Sequence, residues 1–579
     1  MPVDDGGERR EDGTAERPSP DNTPLFEAPP RSAVRALVWQ PHVTPDASIV
    51  WYHGLRGELQ KLACAIYAAT ACSQDPTMVM RRIRRLYLFI VCPLLVIAFL
   101  VFLIDARAAL SSGAELDYGE GIVLWQAAHV TDWPAAYHDV SVAPHLVFHY
   151  PPAFHLAARA VSALTGDLLF AGRLVSILSV LGVSLIIGAL TWTCLPLGHP
   201  TARWLGSATG ALLIFTLPAW HWSCLMRVDS MAMFLSFLAI ALFVLGGRRP
   251  PVIYLCFVLF VAAVFTKQTM VAAPVACLLL LFLEDWRLMI RAALFAGSLG
   301  CGTVVLLQVV TKGEFLHNII GYNRNPFSVG QLFRLQAEHL VGSGPAVAAA
   351  LVLPILYLLH VRSASSLLRR MRTLLRHSLF TRCSILTATV LMLALAVTIT
   401  AGKQGANYNY FFEVDLLASL GAGLFLGWLM RHAASTSAVT YCCALLVTIS
   451  FALHATRIEP SLYSSIDAFR RPAVDQGNDE VVRLLRTTPG RVYSEDMTVL
   501  YKAGKPVEAE PAIVTCLALR GQWDESSLVQ DIEAGRYSII VVTSDLENRD
   551  RYSPRVASAI EQRYLVARRL GTFVLYQPR

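Results

Sequence analysis

Arg81-Arg82-Ile83-Arg84-Arg85, the apolar run 86–104 and then Asp117-Tyr118-Gly119-Glu120-Gly121 are the stretch from which the rest of the chain is read. About 20 apolar residues match a hydrocarbon core of ~30 Å. A basic flank stays on the cytoplasmic side of such a segment. Asp117 and Glu120 therefore emerge on the opposite face, at a lipid surface, within reach of a substrate whose tail lies in the bilayer. Chemistry at a membrane surface is the expectation.

The composition agrees. Of 579 residues, 55% are hydrophobic and 16% charged, where a soluble protein carries roughly 25% charged residues. Hydrophobic segments recur near 86–104, 170–193, 204–219, 230–246, 252–266, 270–283, 292–310, 344–360, 383–401, 412–430 and 438–455. The expected fold is an all-α polytopic membrane protein of about 11 transmembrane helices with a C-terminal extracytoplasmic α/β domain. The pair 252–283 also reads as one bent unit around Lys267. The twelve cysteines lie mostly in apolar segments without a CxxC pair, which points to packing rather than disulfides or zinc. The net charge of +7 is spread over loops and speaks for topology, with no nucleic-acid partner implied.

Residues 1–80 form a separate tail. The first 35 are rich in Pro, Gly and charge and read as disordered, with no signal peptide. Met78 and Met80 stand just before the basic run, so a start there and a translated cytoplasmic tail are both open readings.

Charge parity decides whether 150–166 crosses the membrane. Its Phe154, Ala157, Val161, Leu164 stripe opposes His155, Arg159 and Ser162, the pattern of a surface helix. With 150–166 on the surface, the arginine-rich loop 361–382 and Arg248, Arg249, Arg287, Arg291 and Arg431 all fall inside. The transmembrane domain is then 81–456, its outer loop 105–169 carries the acids, and a small extracytoplasmic α/β domain occupies 457–579. Within that domain 539–543 and 571–576 read as strands, and 479–486, 512–520, 526–535 and 554–562 as helices. The expected place is a membrane, with the N-terminus cytoplasmic.

Several polar groups share the outer face. Asp117 and Glu120, spaced i, i+3, can take a proton from an acceptor hydroxyl or hold a divalent cation against a phosphate; a solvated loop with acids at a helix start is the plainer reading. Arg227-Val228-Asp229 and Thr266-Lys267-Gln268-Thr269 place ions at span ends, suited to phosphate or to ordinary snorkelling. Lys403 to Glu413 offers amides and aromatics for a sugar or head group, or an aromatic belt. Glu413 inside an apolar run is harder to treat as incidental. Five histidines in the first outer loop are too irregular for a metal site and read as interfacial packing. No phosphate-loop, dinucleotide or nucleophile-elbow motif is present.

The acids after the first span, Tyr150-Pro151-Pro152 with its amphipathic helix, and Arg173-Leu174-Val175-Ser176 together resemble the GT-C membrane glycosyltransferases. The bacterial branch related to dolichyl-phosphate-mannose protein mannosyltransferases and aminoarabinose transferase is the most similar. Arg227-Val228-Asp229, Thr266-Lys267-Gln268-Thr269 and Asn407-Tyr408-Asn409-Tyr410 extend the likeness, which covers about 85–455 and weakly 494–505. No single motif is specific; their order and common side carry it. The resemblance implies an inverting sugar transfer from a polyprenyl-phosphate donor to a glycan, lipid or protein acceptor. Asp117 would be the general base, with Glu120 a second catalytic acid. Where the mannosyltransferases have adjacent Asp-Glu, Tyr118 and Gly119 intervene here. Arg227 and Lys267 would hold the donor phosphate, and Asp229, Gln268, Lys403, Asn407, Tyr408 and Glu413 the substrate. No cofactor is assigned, and a divalent cation is left open. The rival expectation is a lipid or sugar transporter or flippase, which ordinarily gathers its polar groups near the midplane.

Overall fold

The computed structural model describes residues 84–85, 87–217, 222–359, 372–373, 375–431 and 473–579. The tail 1–80, the expected span 438–455 and most of loop 361–382 lie outside them. The chain divides into Met1–Trp51 and Tyr52–Arg579, and every described residue belongs to the second unit.

Single turns aside, the helical part runs α1 (Cys92–Ser111), α2 (Glu120–His129), α3 (Ala153–Thr165), α4 (Leu168–Cys194), α5 (Pro200–Leu212), α6 (Asp229–Gly246), α7 (Pro250–Val264), α8 (Ala272–Glu284), α9 (Trp286–Val310), α10 (Val329–Leu359), α11 (Leu379–Val397) and α12 (Phe412–Arg431). Six segments are long and apolar enough to cross a membrane: Tyr87–Ser111, Leu168–Cys194, Asp229–Gly246, Trp286–Val310, Leu379–Gly402 and Tyr408–Arg431. The chain is a multi-pass membrane protein. The expected count of eleven is not reached among the described residues. Pro250–Val264 and Ala272–Glu284 are apolar but shorter. The run 204–219 breaks into α5 and a 3-10 turn at Leu213–Thr216, and 344–360 is the second half of α10. Apolar runs do not mark where a helix unwinds.

Two helices show the extremes of environment. In Tyr408–Arg431, 94% of the apolar window lies inside the protein, against 6% in Trp286–Val310. The central α12 is admitted by glycines. A Cβ on Gly206 would stand 2.7 Å from the Gly423 carbonyl oxygen, and one on Gly423 would stand 2.7 Å from that of Gly206. Only glycine lets α5 and α12 approach so closely.

Helix α3 departs from its expected face. Phe154, His155 and Ala158 are buried, while Leu164 is exposed. His155 Nε2 lies 3.0 Å from Gln126 Oε1, and Gln126 donates to the Val147 carbonyl at 3.0 Å. The polar partner on α2 draws His155 inward, against the amphipathic count.

The C-terminal segment adds α13 (Ala473–Thr487), β1 (Arg491–Ser494), α14 (Met497–Ala503), α15 (Pro511–Leu519), α16 (Ser526–Glu533), β2 (Tyr537–Val542), α17 (Pro554–Arg563), β3 (Tyr564–Leu570) and β4 (Phe573–Pro578). The sheet order is β1-β2-β4-β3, with β1 parallel to β2 and the other pairs antiparallel. Strands β1 and β3 escape the sequence reading. The first has four residues, and the second is an edge strand whose middle five residues are all exposed, so no alternation is visible. The sheet domain meets the first loop directly: His145 N donates to Glu508 O at 2.7 Å and Glu510 N to His145 O at 3.3 Å.

Candidate functional site

One set of helix ends carries the candidate site. Asp117 sits just before α2, with the Gly119 amide donating to its Oδ1 at 3.2 Å. Arg227 reaches the same oxygen at 3.3 Å, with side-chain exposures of 13% for Arg227 and 32% for Asp117. That approach needs Gly119: a Cβ there would stand 1.4 Å from an Arg227 guanidinium nitrogen. Space, not backbone conformation, makes this glycine necessary, since its φ is −87°. Burial opposes the Arg227 charge, but Tyr150, Asp117, Asp229 and Glu120 outweigh it and hold its pKa above the ordinary arginine value.

Asp229 opens α6, and Lys267 follows the end of α7, where the chain unwinds before α8. Lys267 Nζ donates to Asp229 Oδ1 at 2.6 Å and to the Asn409 carbonyl at 3.5 Å. Asn409 Nδ2 donates to the same Asp229 oxygen at 3.2 Å, and the ammonium lies 5.3 Å from the Tyr410 ring centre. Both acid and amine are buried. Gln268 donates from Nε2 to the His149 carbonyl at 3.1 Å.

Four buried polar atoms here have no hydrogen-bond partner among the described residues: Arg227 Nε, Asp229 Oδ2, Gln268 Oε1 and Glu413 Oε1. Asp229 interacts electrostatically with Arg227 and Lys267, and Glu413 with Lys267, so these atoms belong to one neighbourhood. Unsatisfied buried polar atoms are uncommon and call for an explanation. A polar ligand supplies one.

Glu120 is a different case and corrects its expected catalytic role. Its side chain is fully buried, with Arg173 Nε on Oε1 at 2.9 Å and an Arg173 terminal nitrogen on Oε2 at 2.7 Å. The Leu116 and Met226 amides donate to it at 2.8 and 2.7 Å. Arg173 spends its remaining N–H groups on the carbonyls of Ala109, Ser112 and Ala114. No lone pair of Glu120 is left for a substrate. The i, i+3 spacing does not put the two acids on one task, because Asp117 precedes the helix that Glu120 begins.

The 403–413 run divides similarly. Asn407 caps the turn Tyr408–Phe411 by accepting the Tyr408 amide at 2.8 Å, and the Tyr408 hydroxyl bonds Glu338. Their neighbours Asn409 and Tyr410 face the Lys267 cluster instead. Lys403 is held through its backbone against Phe327, and burial together with Arg520 lowers its pKa. His149 and Tyr150 also belong to the neighbourhood although the sequence reading assigned them to packing and to a helix entry. Burial, then Arg227, push the His149 imidazole down to about 4, so it is neutral at physiological pH. The Tyr-Pro-Pro motif was the signal that could have singled them out.

Among the described residues no three His, Cys, Asp or Glu side chains gather as a metal-binding set. Glu120 is saturated and has no lone pair to offer a cation.

No family model matches the chain, and no curated protein sequence matches it. Solved structures do. The crystal structure of ArnT from Cupriavidus metallidurans bound to undecaprenyl phosphate is 15% identical with a TM-score of 0.51, over 84% of this chain and 97% of that one. The apo form of that protein gives 14% and 0.49 over 83% and 97%. The Archaeoglobus fulgidus oligosaccharyltransferase gives 11% and 0.43 over 81% and 71%. The fold of this chain is thus that of ArnT, as the sequence resemblance led one to expect.

Proposed function

We propose that this protein is an inverting glycosyltransferase that moves a sugar from a polyprenyl-phosphate donor to an extracytoplasmic acceptor. The fold is shared with a protein whose structure was solved with undecaprenyl phosphate. The observation that carries the reading is the set of buried polar atoms on Arg227, Asp229, Gln268 and Glu413 that lack a hydrogen-bond partner among the described residues, with Arg227 reaching the partly exposed Asp117. Eleven membrane crossings would put this site and the C-terminal domain on the extracytoplasmic face of a bacterial inner membrane, with the N-terminus inside.

In this reading the Asp117 carboxylate accepts the acceptor hydroxyl proton as that oxygen attacks the anomeric carbon. The bond from that carbon to the phosphate oxygen breaks, and the electron pair leaves with the polyprenyl phosphate. Arg227 and Lys267 take up the growing negative charge, an interaction that strengthens toward the transition state. Asp229 holds Lys267 in place, and Gln268, Glu413, Asn409 and Tyr410 meet the sugar. Glu120 keeps the loop in shape through Arg173.

The test is turnover of polyprenyl-phosphate sugars by the protein in membranes. Asp117→Asn should lower transfer by about 100-fold or more at unchanged protein level, and full activity in that variant would refute the assignment. Proteoliposome uptake without any transfer would instead identify a transporter. Mass spectrometry of envelope glycans and polyprenyl phosphates after deletion of the protein would identify the sugar.

A further inference from the structure

The loop that carries Asp117 is held from two sides, and the two sides alternate along it. Asp117 and Glu120 bind the helical part through Arg227 and Arg173. Residues 115, 118 and 121, spaced by three, all meet the C-terminal sheet domain. The Tyr118 hydroxyl bonds Glu510 and accepts the Ala512 amide at 3.2 Å. The Arg551 guanidinium lies 3.5 Å from the Tyr118 ring centre. Glu115 shares a hydrogen bond with Asp496 and accepts the Gly121 amide at 2.9 Å. Gly121 itself is pressed against α14, where an added Cβ would stand 3.0 Å from Met497 Cβ and 3.1 Å from the Thr498 amide.

The contacts lead back to rigid structure. Arg551 pairs with Glu495 at 3.3 Å. Glu495 accepts from the Thr543 and Ser544 amides and the Ser544 hydroxyl, each at 2.9 Å, and from the Tyr552 hydroxyl at 3.1 Å. Thr543 directly follows β2. Glu510 is buried and caps α15 by accepting the Ala512 and Ile513 amides. Burial first, then the Glu510 charge, raise the Tyr118 phenol, which keeps it a donor. A single peptide unit separates this braced ring from Asp117.

We propose that the C-terminal domain is part of the working site: through Arg551 and Glu510 it fixes the Tyr118 ring and so sets where the Asp117 carboxylate stands. Tyr118, Glu510 and Arg551 are positioning residues that touch no reacting atom. This rests on the glycosyltransferase reading for its effect on rate, but not for its effect on the loop. A displacement of about 1 Å at a reacting group can cost about 100-fold in rate, so braces of this kind act on kcat rather than on substrate binding.

The experiment uses the full-length protein in lipid nanodiscs with Tyr118→Phe, Glu510→Gln and the double variant. Two readings are taken: transfer kinetics, and hydrogen exchange of the backbone amides 115–121. Expected are a fall in kcat of about 10- to 100-fold with KM within about twofold, faster exchange confined to 115–121, and a double variant no worse than the worse single one. Wild-type kcat and exchange in both single variants would overturn the proposal. So would losses that vanish once rates are corrected for the folded fraction. A wild-type protein that transfers no sugar would sink the glycosyltransferase reading alone, and the exchange measurement would then decide the role of the domain.

Discussion

Two acids less than a helical turn apart in sequence, each paired with a distant arginine, behave in opposite ways. Glu120 and Arg173 are wholly buried and every hydrogen-bonding position is filled. Asp117 and Arg227 share one contact at 3.3 Å, the acid is partly exposed, and Arg227 Nε has no hydrogen-bond partner among the described residues. A saturated pair has nothing left to offer a substrate and spends its interactions on architecture. An unsaturated one is ready to exchange partners. Satisfaction, more than residue type, separates structural charge from chemical charge here.

The largest effect should come from breaking the saturated pair. Arg173→Leu strands Glu120 in a buried site, at a cost of about 3–5 kcal/mol. Thermal unfolding and size-exclusion profiles should show little folded protein; a near-native melting temperature would erase the distinction drawn above. Asp117→Asn should do the reverse, lowering transfer by about 100- to 10,000-fold while stability changes by about 1 kcal/mol or less. A variant that unfolds instead would make Asp117 a second structural acid. Lys267→Gln removes a charge-assisted hydrogen bond, usually about 1.5–3 kcal/mol, so donor affinity should fall by about 10- to 100-fold in titrations with polyprenyl phosphate. Unchanged affinity would leave Lys267 as no more than a partner for Asp229.

The smallest effect concerns pH. Burial, and next the neighbouring Asp496, raise the Glu115 carboxyl well above its usual range, and burial raises Asp496 against a hydrogen bond from Glu115. A carboxyl with a raised folded pKa favours the folded state most fully below its unfolded value near 4, and that contribution is lost as pH rises through the folded value. The melting temperature of the wild type should therefore decline as pH rises above about 4 more steeply than that of Asp496→Asn, since Asp496 caps α14 by accepting the Thr498 and Val499 amides and the asparagine carbonyl can still do so. Equal slopes would show that the two carboxyls do not share a proton.

Much of the frame was legible in advance. The ten apolar runs that fall among the described residues all correspond to helices or parts of helices, because burial in lipid demands the same composition wherever it occurs. Two of the four strands were visible through their apolar or terminal patterns, and β1 and β3 were hidden by shortness and edge exposure. The charges at helix ends that make up the candidate site were readable in the sequence. Its internal division was not. Asn407 and Tyr408 were expected at the substrate, yet a single 3-10 turn brings their neighbours Asn409 and Tyr410 to Asp229 and Lys267 instead. His155 was counted on a polar face, yet Gln126 holds it inside.

From its residues alone, this chain is committed to the bilayer and to charge at the ends of its spans, since hydropathy and basic flanks act locally and leave their mark in composition. Which acid is free was settled only in three dimensions. Arg173 lies 53 residues beyond Glu120 and Arg227 lies 110 beyond Asp117, and no local pattern records which distant guanidinium arrives with every proton already committed. The brace from Glu510 to Tyr118 spans 392 residues, so it too exists only once the chain has closed on itself.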